Sequence, residues 1–206
     1  SGQLGQELQR TLIPLGEVIG VGRQRMDLAQ PDSIRQVIRE VQPDLIVNPA
    51  AYTAVDRAET ETELATAINA IAPGIIAGEA QRLGATLLHV STDYVFDGRK
   101  NTPYAEEDPT NPLSVYGQSK LAGERAIWQT GVKAAILRTA WVYNTYGKGN
   151  FVKTMLRLGS QREEIRVVAD QVGSPTRAKD IAEAIAALIP HLRAGATGTY
   201  HFTDSG

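Results

Sequence analysis

A tyrosine and a lysine stand four positions apart, Tyr116 and Lys120, within the stretch VYGQSKLAGE. On a helix that spacing puts both side chains on one face. Between them Gly117 and Ser119 are small residues that would leave room for cofactor and substrate. A phenol so placed can give a proton to an oxygen that turns negative during a reaction. An ammonium one turn away favours the phenolate and lowers the phenol pKa from its usual value of about 10. A surface pair on an amphipathic helix would show the same spacing, so the neighbouring segments must decide. Thr92 closes the apolar run that starts TLLHV. The C-terminal end of such a strand is where open α/β sheets hold ligands, and a hydroxyl there can polarise a carbonyl.

The opening SGQLGQELQR places Gly2 and Gly5 three apart at the start of a helix, with Gln3 and Leu4 between them. A helix N-terminus carries unpaired N–H groups and partial positive charge, and so can hold a phosphate. Gly2 would let the backbone approach a pyrophosphate, and Gly5 would let the helix pack closely on a strand. An ordinary glycine-containing turn reads the same way. Where dinucleotide folds often carry an acidic residue for a ribose diol, the segment VIGVGRQR supplies Gly22, Arg23 and Arg25. Arginine there suits a 2′-phosphate, which favours NADPH, with NADH as the alternative. Asp27 and Leu28 stand where they could flank an adenine ring. Ala50, Ala51, Tyr52 and Thr53 follow an apolar run and could border the cofactor.

Short apolar runs and helical patterns alternate along the chain. Strands are expected at Val18 to Val21, Leu45 to Val47, Thr86 to Val90 and Ala134 to Arg138. Helices are expected at Ile34 to Val41, over an Ala-rich stretch from Glu61 to Leu83, from Ser114 to about Gln129, at Phe151 to Leu158 and at Asp180 to Leu192. This alternation predicts crossover units and an α/β fold, a doubly wound parallel (Rossmann) sheet with a small C-terminal substrate lobe. Residues 1–139 form the dinucleotide-binding part. Residues 140–206 form mainly the substrate lobe, partly interleaved with the first. The strand expected before Gly2 is central in such a sheet, which predicts a chain extending upstream.

The composition narrows the function classes. The 206 residues carry a net charge of −2, which gives no electrostatic case for nucleic acid or an anionic membrane. No apolar run approaches the roughly 18 residues of a membrane span. Cysteine is absent, which removes disulfides, thiol nucleophiles and thiolate metal sites, and the three histidines are widely scattered. A zinc site is not expected, and a cytoplasmic location is the default.

NPAAYTAVDRAE, HVSTDYVFDG, SVYG, SKLAGE, RTAWVY and NFVKTMLRL occur in this order. With them the sequence resembles the dTDP-4-dehydrorhamnose reductases of the extended short-chain dehydrogenase/reductase superfamily, from Ser1 to about Gly206. The resemblance implies that Thr92, Tyr116 and Lys120 are catalytic, with Tyr116 and Lys120 also meeting the cofactor and Lys120 holding the nicotinamide ribose. It implies that Asp93 and Trp141 join Thr92 and Tyr116 in contacting the sugar, and that Gln171 and Pro175 shape the pocket. The substrate would be a nucleotide sugar, the assembly a homodimer, and Mg2+ a further ligand through a C-terminal tail absent from this sequence. Departures are Gly22 at the usual acidic position and Pro49 where Ala is usual. A dehydratase would need a Glu in the pair after Thr92, where Asp93 and Tyr94 stand. Two alternatives stay open: another nucleotide-sugar reductase or epimerase, and a non-catalytic cofactor-binding subunit like the regulatory subunit of methionine adenosyltransferase.

Overall fold

The computed structural model describes residues 2–145 and 149–205. Helix α1 (Gln3–Thr11) comes first, then a 3-10 turn and helix α2 (Pro31–Val41), which begins with proline at its first position and buries Ile34, Val37 and Ile38. Strand β1 (Leu45–Asn48) follows, then two short helices, α3 (Val55–Ala58) and α4 (Thr62–Thr66). A π-helical turn at Ala67–Ile71 leads into α5 (Ala72–Leu83), which Gly84 ends at φ 71°. Strand β2 (Thr86–Thr92), helix α6 (Val115–Gln129) and strand β3 (Ala134–Thr139) complete the middle of the chain. The remainder comprises β4 (Val142–Tyr143), α7 (Phe151–Gly159), β5 (Thr176–Arg177), α8 (Ala178–Arg193) and β6 (Gly198–His201).

Four strands form one sheet in the order β1-β2-β3-β6, every pair parallel. Leu87, Ala134 and Ile136 pack with α2 and α5 on one face, while Leu88, Val90, Ala135 and Leu137 pack with α1 and α8 on the other. Both faces are therefore covered, as a parallel sheet requires. Strand β6 lies beside β3 in this sheet, so the last part of the chain shares the main layer. Strands β4 and β5 pair separately, and α7 beyond them leaves Phe151 and Leu156 exposed.

Two expectations are corrected. Val18 to Val21 is not a strand. A doubly wound sheet would pair it with the strand expected before Gly2, and no described residue takes that place. The stretch from Glu61 to Leu83 is not one continuous helix. Pro73 has no N–H to offer the Asn69 carbonyl one turn earlier, and the chain widens so that Ala72 N–H reaches Ala67 O instead.

Candidate active site

Helix α6 is drawn onto the end of β2 by three local features. Ser114 Oγ accepts from Gly117 N at 3.1 Å and caps the helix. A Cβ on Gly117 would stand 2.2 Å from Tyr94 O, and one on Gly123 would stand 2.1 Å from Asn69 O. The room at Gly117 is thus filled by the backbone that follows Thr92, where space for ligand was expected. Ser119, expected to leave room in the same way, accepts from Asn69 Nδ2 at 3.1 Å and donates to Tyr116 O at 2.7 Å.

This packing brings Tyr116 to Thr92. The Thr92 hydroxyl lies near enough to the phenol to act on its pKa, drawing it down against the stronger effect of burial. Burial is the larger effect, and Tyr116 is pushed up to about 12, with Asp93 and Tyr94 raising it further. The lowered phenol pKa expected from Lys120 is not what the structure gives. Tyr116 is almost fully buried, and Lys120 Nζ instead donates to Val90 O at 2.8 Å and lies 3.2 Å from His89 Nε2. A phenol that keeps its proton over the whole neutral range is suited to giving one up to an alkoxide. Burial lowers Lys120 to about 8, against an opposing pull from Glu124.

Thr92 Oγ1 also donates to Asp93 Oδ1 at 3.1 Å and accepts from Tyr94 N at 3.3 Å. Burial raises the Asp93 pKa, offset in part by the Thr92 bond. Trp141 stands past the end of β3 with φ 44°, an uncommon backbone for a bulky side chain. A Cβ on Gly173 would lie 2.9 Å from its ring, so the DQVGSPT loop passes against the indole. Trp141 remains 38% exposed, leaving part of the ring uncovered.

The residues expected at the cofactor fall into two groups. Gly2 starts α1 with nothing within 4 Å of its Cβ position. Gln3 is held by Asn150, whose Nδ2 donates to its Oε1 at 2.9 Å, and the Leu4 side chain belongs to the core. Arg23 is 3.7 Å from Asp27 with its side chain 76% exposed, whereas Arg25 reaches Glu40 at 2.8 Å. Asp27 Oδ1 accepts from Ala29 N at 3.0 Å, and Leu28 packs on the core under α2. After β1, Ala50 N donates to Asn48 Oδ1, and Asn69 grips the Tyr52 backbone from both sides, at 2.8 and 3.0 Å. The Tyr52 hydroxyl donates to Glu61 at 2.6 Å, and Ala51 and Thr53 flank it in the irregular segment between β1 and α3.

Several organising residues escaped the sequence reading. Asn69 joins the turn at Tyr52 to Ser119 on α6, and Pro73 was the signal for its exposed carbonyl. Glu124 and Arg138 form a buried bidentate pair at 3.0 and 2.7 Å that ties α6 to β3. Their spacing of 14 residues across a helix and a strand carries no local signature. Among the described residues no group of three or more His, Asp or Glu is placed to hold a metal. The expected Mg2+ thus has no support among these residues.

Comparison with known proteins decides the lineage. The model of the RmlD substrate binding domain matches residues 1–206. The dTDP-4-dehydrorhamnose reductase of Burkholderia thailandensis is 46% identical over 212 residues, covering 100% of this chain and 71% of its own length. The chain belongs to the dTDP-4-dehydrorhamnose reductase family. Another relative, the spore coat polysaccharide biosynthesis protein SpsK of Bacillus subtilis, is also 46% identical, with the same coverage. Among solved structures, the family's Bacillus anthracis reductase in complex with NADP superposes with a TM-score of 0.92 at 43% identity, covering 100% of this chain and 73% of that one. UDP-glucose 4-epimerase from Brucella ovis shares the fold alone, at 15% identity and a TM-score of 0.79 over 100% of this chain and 74% of its own.

Proposed function

We propose that this reductase converts dTDP-4-dehydro-6-deoxy-L-mannose to dTDP-L-rhamnose, reducing the C4 carbonyl in nucleotide-sugar biosynthesis. The observation that carries the reading is the Tyr116–Thr92 contact at the end of β2, in a chain 46% identical to a reductase of that name. A nicotinamide cofactor, NADPH by preference, supplies the hydride when bound. The site fits such a group. Gly2 leaves the N-terminus of α1 open, Arg23 projects into solvent, and Thr139 Oγ1 at the end of β3 is buried with no hydrogen-bond partner.

Thr92 holds the carbonyl oxygen and polarises it. Tyr116 gives its phenolic proton to that oxygen as negative charge develops there, so that with a hydride added at C4 the carbonyl becomes the C4 hydroxyl and Tyr116 is left as a phenolate. The neutral phenol is the required form, and burial maintains it. Lys120 holds the ribose and accompanies the proton transfer. Asp93 and Trp141 position the sugar, Trp141 offering a flat apolar face to the deoxy ring. Residues 140–206 contribute mainly the substrate side and residues 1–139 the cofactor side. We place the protein in the cytoplasm; no helix among the described residues is long and apolar enough to cross a membrane.

The test is to mix the protein with NADPH and freshly prepared dTDP-4-dehydrorhamnose and follow loss of the reduced cofactor. Equal amounts of cofactor oxidised and rhamnose nucleotide formed support the proposal. Cofactor binding without turnover would indicate a non-catalytic subunit, and inversion without net oxidation would indicate an epimerase.

A further inference from the structure

Behind Lys120 lies a buried polar chain that the reaction as described does not use. Asn48 ends β1, His89 sits in the middle of β2, and Lys120 reaches them from α6; all three are buried, His89 at 0% and Lys120 at 1% exposure. The direction of hydrogen bonding can be read from one end. Asn48 Oδ1 accepts from Ala50 N at 3.2 Å, so the amide nitrogen is the end that faces His89 Nδ1, at 3.1 Å. An NH2 group can only donate, so Nδ1 must carry the lone pair and the ring proton is on Nε2. Nε2 faces Lys120 Nζ at 3.2 Å. An ammonium has no lone pair to receive that N–H, whereas a neutral amine has one.

We propose that Asn48 and His89 form a positioning pair for Lys120: Asn48 fixes the histidine tautomer, and His89 turns an N–H toward the lysine nitrogen, so that Lys120 releases its proton readily. The proposal rests on the reading of Lys120 as partner to Tyr116 in the reductase. When Tyr116 has passed its proton to the substrate oxygen, a phenolate remains. Lys120 stands one helical turn along, its Nζ held at Val90 O and His89 in this structure; on swinging toward the phenolate it returns a proton as ammonium becomes amine, and the lost proton is replaced from solvent. A lysine that grips its proton tightly would do this slowly.

The surroundings agree in direction. Burial, followed by the charge of Lys120, keeps His89 neutral, with its pKa well below the ordinary histidine value. Burial lowers Lys120 to about 8, and Glu124 on the next turn of α6 is the group that opposes this. The Glu124 charge is shared with Arg138 of β3. On the other elements packed against α6, Glu79 of α5 is held by Arg39 and Arg82, Arg57 of α3 is held by Glu61, and Glu63 of α4 is exposed. Asp93 and Tyr94 follow β2 and act on Tyr116, and Asp56 of α3 acts on Tyr94. His89 is thus the one neutral donor aimed at Nζ among these groups.

The experiment is an NMR titration of the lysine side chains in the full chain, with Lys120 assigned through a Lys120→Met control. His89→Gln can turn its carbonyl oxygen to Nζ, and Asn48→Asp reverses the tautomer by accepting from Nδ1. Each variant is expected to raise the proton affinity of Lys120 at least tenfold and to move the alkaline limb of kcat to higher pH by the same factor, with KM near wild type. An unchanged or lowered affinity in the folded variants would overturn the proposal. If His89→Gln does not fold, Asn48→Asp decides. The titration needs no turnover, so an inactive wild type would refute the reductase reading while leaving the Lys120 result to stand or fall separately.

Discussion

The backbone of Gly117 meets the carbonyl of Tyr94 so closely that a Cβ at position 117 would lie 2.2 Å from that oxygen. The contact fixes the distance between the helix that bears Tyr116 and the strand end that bears Thr92. Because the obstacle is backbone, it cannot swing aside. Gly117→Ala should push α6 away from β2, cost about 1–3 kcal/mol of stability and lower kcat more than tenfold. Denaturant unfolding together with steady-state assays checks both, and a fully active alanine variant would show that this contact does not set the geometry.

Tyr116→Phe removes the proton donor and leaves the aromatic packing with Tyr94 in place. A fall in kcat of about 10²–10⁴-fold is expected, the range of general acid catalysis. Cofactor affinity, measured by fluorescence titration, should change little. Activity within tenfold of wild type would remove Tyr116 from its role.

Glu124 and Arg138 are both nearly fully buried. Removing one partner strands a charge, so Glu124→Ala should destabilise the fold by about 3–5 kcal/mol. Denaturant midpoints measure this. Replacing both residues with apolar ones should recover much of the loss, since it leaves no charge unpaired.

Lys120 contributes to stability with a definite sign. Its folded pKa of about 8 lies below the ordinary lysine value of 10.5, so the unfolded chain binds more protons between those values. Stability then rises with pH across that window. Wild type should gain stability relative to Lys120→Met between about pH 8 and 10.5, measured by denaturant unfolding at each pH. Parallel curves for the two proteins would contradict the assignment.

Arg23, beside Gly22, is largely exposed and only loosely paired with Asp27 at 3.7 Å, whereas Arg25 is engaged by Glu40 at 2.8 Å. Arg23→Ala should lower kcat/KM for NADPH at least tenfold and leave NADH nearly unaffected, because only the 2′-phosphate distinguishes the two. Equal losses with both cofactors would assign Arg23 a structural role.

Much of this was legible in the sequence. The parallel α/β sheet followed from apolar runs alternating with helical patterns, and β2, α6 and β3 fall within a residue or two of their expected bounds. Ser114 as a helix cap could be read from its residue type and place. Val18 to Val21 could not be judged locally, because a strand exists only with a partner strand. The π-helical turn depended on Pro73 together with a helix arriving from far along the chain, which needed Gly123 to fit against Asn69. The Lys120 environment was least visible of all. Asn48, His89 and Lys120 come from three elements, and their hydrogen bonds exist only after β1 and β2 align in register, Asn48 beside His89.

The central claim is that Tyr116 delivers the proton to a carbonyl on a dTDP-4-keto sugar as NADPH is oxidised. Its most direct test is the stoichiometry of one reaction: dTDP-4-dehydrorhamnose and NADPH with wild-type protein and with Tyr116→Phe. One NADPH consumed per dTDP-L-rhamnose formed by wild type, with the variant slower by at least a hundredfold, is the predicted result. No NADPH consumption by the folded wild-type protein, or equal rates for the two, would contradict it.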